Sequence, residues 1–243
     1  MTTKHHWHLA DPHFDNVLNG KKIYETRVND EKRQLIKLGD IIEFTHQTEN
    51  RQPYSIVVIG IDYFKSFKDA IETSGIKKVL PNVLTVEEGV KLYEAFPHKT
   101  GTFKDGAKKY GVVRFHLYVN NNQNTHNIPI QNPKDCPTFN MIKSGTKTVE
   151  GRKFSPKYQN YNVGDRLIFS NDNEKLETLI TEIKKYKTVQ DYLKTETLKK
   201  ALPCVNRIQK GLEIYNRWSS PKERQNLIKK YGYSFLGIHI KLL

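Results

Sequence analysis

Two stretches of the chain offer the same chemistry. Gly20-Lys21-Lys22-Ile23-Tyr24-Glu25-Thr26-Arg27 and Gly145-Thr146-Lys147-Thr148-Val149-Glu150-Gly151-Arg152 both spell G-x-K-x-x-E-x-R. Each supplies an ammonium, a carboxylate and a planar guanidinium. Lys and Arg suit phosphate, which Arg grips with two N–H groups, and a carboxylate accepts from a base amino group or exocyclic N–H. A Lys–Glu pair also does acid–base work where burial moves both pKa values towards neutrality. The plainer account is a Glu–Arg pair that fixes a strand end beside a solvated Lys.

The elements that must position these residues are legible on either side. In the first stretch a strand-like start (His6 to Leu9) leads to Asp11-Pro12, read as an N-cap followed by Pro at the first helical position. Phe14, Val17 and Leu18 give the helix an apolar face and Gly20 stops it. A strand over Lys22 to Val28 puts Ile23, Glu25 and Arg27 on one face by period two, with Lys22 in the preceding turn, free to converge on Glu25. Leu38-Gly39-Asp40 reads as a turn, Gly39-Asp40 and Gly164-Asp165 being turn formers rather than catalytic acids. Strands follow at Ile41 to His46 and Tyr54 to Phe64. The unbroken run Ile56 to Ile59 marks the latter as central. Helical patterns cover Phe67 to Thr73, Ile76 to Leu80 and Val86 to Phe96, the last with Thr85 and Glu88 at capping-box spacing. A Gly/Lys-rich loop over Lys99 to Lys109 and a strand from Gly111 to Val119 close the unit.

The landmarks then repeat. Pro12, Phe14, Gly20, Lys22, Glu25, Arg27, Gly39, Asp40 and Phe44 return 125 positions on as Pro137, Phe139, Gly145, Lys147, Glu150, Arg152, Gly164, Asp165 and Phe169. Phe64-Lys65, Asp69, Leu80-Pro81, Gly89 and Tyr93 return 122 positions on as Tyr186-Lys187, Asp191, Leu202-Pro203, Gly211 and Tyr215. Tyr110-Gly111 matches Tyr231-Gly232 at an offset of 121. Agreement in order, spacing and residue type makes the chain a tandem duplication of a small β-rich α+β domain. The expected boundaries are 1–119 for the first domain, 120–136 for a linker whose Asn127 to Gln131 supplies a strand to the second, and 137–243 for the second domain. Phe14, Phe44, Phe139 and Phe169 are expected in the cores.

Together these motifs resemble the activating-signal-cointegrator homology (ASCH) domain, a branch of the PUA-like superfamily, over both halves. The resemblance implies two small β-barrels with flanking short helices, each with a cleft lined by the motif residues. PUA-like domains mostly bind RNA. Some ASCH-like proteins resemble amidohydrolases acting on acetylcytidine, or ribonucleases. In the amidohydrolase branch a nucleophilic Thr stands where this chain has Glu25 and Glu150, which weighs against that chemistry. Asn29-Asp30 of the first copy becomes Phe154-Ser155 in the second, so the two clefts are not expected to act alike.

Charge separates the copies. Residues 1–136 hold 19 Lys and Arg against 16 Asp and Glu, residues 137–243 hold 21 against 10, and the whole chain carries +14. Such an excess favours polyanions through summed potential and counterion release. Lys184, Lys185, Lys187, Lys199, Lys200, Arg207, Lys210 and Arg217 interleave with Tyr186 and Trp218, a pattern suited to single-stranded nucleic acid, where phosphates are neutralised and bases stack. Lys222, Arg224, Lys229 and Lys230 extend it, and Tyr63, Ser66 and Tyr186 are further candidates beside the cleft.

Only Cys136 and Cys204 occur, far apart and with no His at metal-ligand spacing, which speaks against a disulfide framework or a zinc site and for a reducing compartment. His5, His6, His8 and His13 cluster without a carboxylate or Cys at fixed spacing, so no metal or other cofactor is expected. No stretch approaches the ~18 apolar residues of a membrane span and the N-terminus has no signal-like apolar run. The expectation is therefore an intracellular protein, cytoplasmic or nuclear, monomeric and free of membranes. Its function is expected to be RNA binding through Lys22, Glu25, Arg27 and Asn29 in one cleft, Lys147, Glu150 and Arg152 in the other, and the basic second half. The alternatives are a hydrolase using Lys22 or Lys147 as base or electrostatic stabiliser with Glu25 or Glu150, and an adaptor for an acidic protein.

Overall fold

The computed structural model describes residues 3–120, 123–172 and 174–243. The chain divides into two compact units, 1–122 and 123–243; of the expected linker, residues 121–122 lie outside the described residues. The first unit runs β1 (Lys4–Leu9), α1 (His13–Leu18), β2 (Tyr24–Val28), α2 (Glu31–Gln34), β3 (Ile41–His46), β4 (Tyr54–Phe64), α3 (Phe67–Ser74), α4 (Ile76–Val79), α5 (Val86–Ala95), β5 (Pro97–His98), β6 (Gly101–Thr102), α6 (Phe103–Tyr110) and β7 (Val112–Val119). The second runs β8 (Thr125–Pro129), α7 (Thr138–Lys143), β9 (Val149–Lys153), a 3-10 turn (Pro156–Asn160), β10 (Arg166–Asn171), β11 (Glu174–Tyr186), α8 (Val189–Glu196), α9 (Leu198–Ala201), α10 (Ile208–Trp218), α11 (Pro221–Tyr231) and β12 (Phe235–Leu242).

Each unit curls a five-stranded sheet into a half-barrel with helices packed beside it, an α+β fold. The strand orders β1-β3-β4-β7-β2 and β8-β10-β11-β12-β9 are one topology built twice. In both, the first strand joins in parallel and the others are antiparallel. Even the irregularity is copied: β4 bulges between Val58 and Gly60, β11 between Ile180 and Glu182. Phe14, Phe44, Phe139 and Phe169 are all buried in the cores, as expected. β4 lies between β3 and β7, and Ile56, Val57 and Val58 on it are fully enclosed.

One buried carboxylate organises the turn before β3 and before β10. Asp40 accepts from the backbone N–H of Thr3 (3.1 Å) and Lys37 (2.9 Å) and lies 3.0 Å from His5 Nε2. Asp165 accepts from the N–H of Asn124 (3.0 Å) and Asn162 (2.9 Å) and lies 2.9 Å from His126 Nε2. The Gly-Asp pairs are thus turn formers, and the carboxylates also fasten the edge strands β1 and β8.

Four expectations need correction. Asp11 does not cap α1: Pro12 occupies the N-cap without a side-chain bond, and the Asp11 carboxylate pairs with Arg51 at 3.1 Å. The segment Lys99 to Lys109 is a short hairpin and α6 rather than a loop, because Thr102 and Asp105 form a reciprocal capping box that offsets the cost of Gly106. Gly106 itself is required by packing, since a Cβ there would lie 2.9 Å from His98 and 3.0 Å from Val28. Arg224 is buried rather than solvated, with its guanidinium on Ser219 and Asn216. Finally, Cys136 and Cys204 are joined in a disulfide across 68 residues of sequence. Residues remote in sequence were brought together by the α7 and α9 packing, and the cysteine argument for a reducing compartment falls with them. Among the described residues no helix is long and apolar enough to cross a membrane.

Asp165→Ala would strand backbone donors that the turn directs at the carboxylate. We expect it to destabilise the second unit by about 2–4 kcal/mol in urea denaturation, and Asp40→Ala to do the same to the first. A loss below ~0.5 kcal/mol would mean that the carboxylate does not hold the turn.

Candidate functional site: paired ion triplets and one open cleft

The G-x-K-x-x-E-x-R motif begins where α1 or α7 ends. Gly20 (φ 68°) and Gly145 (φ 72°) take the left-handed conformation that turns the chain into β2 or β9. Lys22 and Lys147 then point inward and are only 3% and 2% exposed. Lys22 Nζ donates to the Val79 carbonyl at 2.9 Å and lies 3.0 Å from Glu25 Oε2. Lys147 Nζ donates to the carbonyls of Val149 (2.9 Å) and Ala201, and lies 3.3 Å from Glu150 Oε2. Arg27 and Arg152 hold the other carboxylate oxygen of their Glu, each at 2.7 Å.

Lysine, glutamate and arginine therefore do converge in both copies, yet the lysine is neither solvated nor positioned to meet a phosphate. The Lys22 ammonium is spent on the Val79 carbonyl, the Tyr93 hydroxyl (3.4 Å) and Glu25, and the Lys147 ammonium on two backbone carbonyls and Glu150. Val79 and Ala201 are the last residues of α4 and α9, so each ammonium satisfies a carbonyl that a helix end leaves open and ties it to the sheet edge. The Arg side chains are the more accessible members, 19% and 24% exposed.

The two ammoniums differ in their electrostatics. Burial opposes charge on Lys22, but the close Glu25 outweighs it and the pKa is raised. In Lys147, with its looser pairing, burial prevails and the pKa is lowered. Burial likewise pushes Glu25 up, but Arg27 and then Lys22 overcome it and the net shift is downward. Burial lowers the pKa of His13, which also feels Lys22, Glu25 and Arg27. His13 thus belongs to the first site, although the sequence offered it only as one of four clustered histidines. Its Nδ1, together with Arg27 Nε and Asn29 Oδ1, is buried without a hydrogen-bond partner.

Around the triplets the copies part. In the first unit Arg27 lies between the rings of Trp7 (5.6 Å) and Phe103 (6.0 Å), and Arg33 covers the other contact with Trp7 at 5.7 Å. The sheet register pairs Trp7 with Phe44 and Ile128 with Phe169, so Ile128 replaces Trp7 in the second unit. There a cleft of about 700 Å³ opens over the triplet. Its lining includes Lys147, Glu150, Arg152, Lys153, Lys157 and Arg217, with Tyr158, Tyr215 and Trp218 among them. Trp218 is 56% exposed, a large apolar ring left at a cationic rim. Lys157 lies 5.1 Å from the Tyr158 ring, and Arg217 pairs with Asp135 at 2.8 Å.

Of the basic residues singled out in the sequence, Arg217 joins Lys147, Glu150 and Arg152 at this cleft; Lys184, Lys185, Lys187, Lys199, Lys200, Arg207 and Lys210 are not among its lining. Lys185, Lys187, Lys199, Lys200, Arg207 and Lys210 are exposed, while Lys184 is partly covered and pairs with Glu182 (3.1 Å) and Glu196 (3.5 Å). Tyr186 is buried with its hydroxyl on Glu196, Tyr63 is exposed, and Ser66 caps α3, so none of the three forms the cleft. Lys153, Lys157 and Tyr158 were missed: they lie in and after β9, and only the register and the 3-10 turn bring them to the rim.

Among the described residues one trio has ligand atoms close enough for a metal, Asp11, His46 and Glu49, within 4.8 Å of one another. His46 Nδ1 accepts the N–H of Glu49 at 2.9 Å, which leaves the ring proton on Nε2, 3.6 Å from Asp11 Oδ2. Nε2 carries a proton there and not a lone pair, and it is buried without a hydrogen-bond partner, so the ring as it stands does not present a ligand atom to the two carboxylates.

The opposite shifts of the two lysines make a spectroscopic prediction. In a titration followed by lysine side-chain ¹⁵N resonances, Lys147 loses its proton below the ordinary lysine range and Lys22 above it. By linkage, the stabilisation from Lys22 is complete below the ordinary lysine pKa and is lost as pH rises through its raised value. That from Glu25 is present above the ordinary carboxylate pKa and lost as pH falls through its lowered value. Coincident titration of the two lysines would contradict the assignment.

Comparison with known proteins places these features in a wider group. The family profile described as "ASCH domain" matches residues 8–114 and again residues 136–238. Two solved structures are similar to one unit's length of the chain. The crystal structure of hypothetical protein PH0355 is 37% identical, covering 49% of this chain and 100% of that one, with a TM-score of 0.42. The solution structure of protein PF0455 from Pyrococcus furiosus is 31% identical, covering 48% of this chain and 97% of that one, with a TM-score of 0.40. Among curated proteins nothing matches.

Proposed function

The chain belongs to the ASCH domain family, with one copy in each unit, and from that premise we propose that it binds single-stranded RNA, mainly through the second unit. The observation that carries this reading is the open cleft. Its volume of about 700 Å³ is of the size that encloses a small organic ligand. Its rim presents Lys153, Lys157 and Arg217 with the exposed ring of Trp218. Phosphates meet the cations, and an unpaired base stacks on Trp218 and faces the floor formed by Arg152 and Glu150. The likeness of the fold to PUA domains, often linked to RNA binding, supports the same class of ligand.

In this reading Lys147 and Lys22 are positioning residues that hold Glu150 and Glu25 in place. The exposed Lys185, Lys187, Lys199, Lys200, Arg207 and Lys210 add sequence-independent attraction, and Lys184 contributes less because two carboxylates share it. The first unit, where aromatic rings flank Arg27 and the charge is nearly balanced, has the lesser part, with His13, Arg27 and Asn29 as its polar contacts.

Each phosphate neutralised on a single strand contributes about 0.7 to the log–log salt slope, so the three rim cations alone predict a slope of about −2 for an RNA oligomer. An affinity that stays flat between low and moderate salt would rule the reading out. Arg152→Ala with Trp218→Ala should reduce discrimination among oligomers of different base composition. Lys199→Ala with Lys200→Ala should weaken all of them alike, by about tenfold or less. The same effect from both pairs would remove the division between cleft and surface.

A further inference from the structure

The cysteine pair takes no part in the function proposed above, and its location is specific to one copy. At the offsets that relate the units, Cys136 corresponds to Asp11 and Cys204 to Asn82. In the first unit the turn after α4 is tied to α1 by a hydrogen bond from Asn16 Nδ2 to Asn82 Oδ1, 2.7 Å. In the second, Met141 stands at the position of Asn16, and the tie is the disulfide between Cys204, in the turn after α9, and Cys136, just before α7. The fold is thus built once without the bridge.

The bridge also borders the cleft. Pro129, Ile130, Gln131, Pro133, Cys136 and Thr138 form one wall of it, and Leu202, two residues from Cys204, lines it as well. Between β8 and α7 this wall has no regular structure. Among the described residues its other ties are the packing of Ile130 against the core and a few polar contacts. Ile130 N–H donates to the Ser170 carbonyl at 2.9 Å, Asn132 Oδ1 accepts from the Asn140 N–H at 3.3 Å, and Asp135 pairs with Arg217 where both side chains are more than half exposed. An exposed pair of that kind contributes little. Cys136 is buried, whereas Cys204 is partly exposed and offers its sulfur to an incoming thiolate.

We propose that Cys136–Cys204 is a thiol–disulfide exchange site that sets the order of the cleft wall, and through it the affinity for RNA. A dithiol reductant supplies the electrons. Its thiolate attacks Cys204 Sγ, the Cys136–Cys204 bond breaks, and Cys136 leaves as a thiolate that takes up a proton. The second thiol of the reductant then attacks the reductant's own sulfur in the mixed disulfide. Cys204 is released as a thiol and the reductant leaves as a cyclic disulfide. The oxidised state holds the wall at the cleft, and the reduced state leaves it on the packing of Ile130 and Cys136, one exposed ion pair and two hydrogen bonds.

The ligand half of this inference rests on the RNA reading, and the experiment keeps the two apart. Lys134 lies exposed in the middle of the wall and marks it for trypsin. Full-length protein, oxidised or treated with dithiothreitol, is digested briefly and cleavage after Lys134 is followed by mass spectrometry. In parallel, binding of a fluorescent single-stranded RNA oligomer is measured in both states. We expect cleavage after Lys134 to quicken about tenfold on reduction, with sites in the first unit unchanged, and RNA to bind about tenfold more weakly. Cys204→Ser should behave like the reduced protein and should not respond to dithiothreitol. Unchanged cleavage after Lys134 on reduction of the wild type would overturn the proposal, whatever the RNA does and whether or not the variant folds. Faster cleavage with unchanged RNA affinity would overturn the coupling to the cleft. If no RNA bound in either state, the RNA reading would fall while the protease result still judged the exchange site.

Discussion

The interaction on which each unit depends is a buried ammonium between a carboxylate and the end of a helix. Taking a lysine out of water costs several kcal/mol unless its partners are well placed. Lys22 and Lys147 find partners at equivalent places in the two copies: a glutamate three residues on, and a carbonyl from the last residue of α4 or α9. The ammonium therefore joins a sheet-edge strand to a short helix that packs beside the half-barrel. Removing the glutamate would leave the ammonium buried without its carboxylate, and such breakage is more damaging than the pair itself is stabilising. The arginine finishes the set by taking the second carboxylate oxygen, and so carries the only part of the triplet that approaches the surface.

Once that frame is fixed in both copies, the differences between them become informative. Thr26, fully buried in the first unit, is Gly151 in the second, where a Cβ would lie 2.5 Å from the Tyr215 hydroxyl and 2.8 Å from the Tyr192 ring. At the repeat offset Tyr192 replaces Ala70, so one large ring entered the helix as the strand opposite gave up its side chain. Tyr192 then donates to the Val149 carbonyl at 3.2 Å, beside the same atom that accepts from Lys147. That carbonyl is shared in the second unit alone. The lysine there is held more by dipoles and less by its carboxylate, which agrees with the opposite directions of the two lysine shifts.

Much of this was legible in the sequence, and for physical reasons. The duplication, the half-barrel cores around Phe44 and Phe169, the Gly-Asp turns and the capping box at Thr85 and Glu88 depend on local spacing or on burial, which the sequence records directly. Strand periodicity put Glu and Arg on one face, and placing the Lys in the preceding turn allowed it to converge on the Glu. The lysine's burial did not, because its partner carbonyls come from helices 54 to 57 residues away and carry no side-chain signature. Backbone acceptors are the same for every residue type. The disulfide was hidden for a related reason: a separation of 68 residues says nothing until α7 and α9 are packed. A Gly- and Lys-rich composition likewise concealed α6, whose Thr-x-x-Asp cap outweighs the helix-breaking glycine within it.

The burial of the lysine also decides where selectivity can reside. An ammonium whose donors are spent on carbonyls cannot follow a ligand, but it can keep Glu150 and Arg152 fixed, and fixed polar groups discriminate because a mismatched ligand leaves them unpaired. The rim is the opposite case. Lys153 and Lys157 are cations on strand and turn, one 3.5 Å from Glu223 and the other over the Tyr158 ring, and Arg217 is already shared with Asp135, a set suited to attracting a polyanion without selecting among bases. In the first unit the same floor exists under Trp7 and Phe103, and the strongly positive rim does not. Duplication preserved the costly buried triplet in both copies, since the fold requires it. It left the space above the triplet and the surrounding charge free to diverge, and those are the features in which the two units differ most.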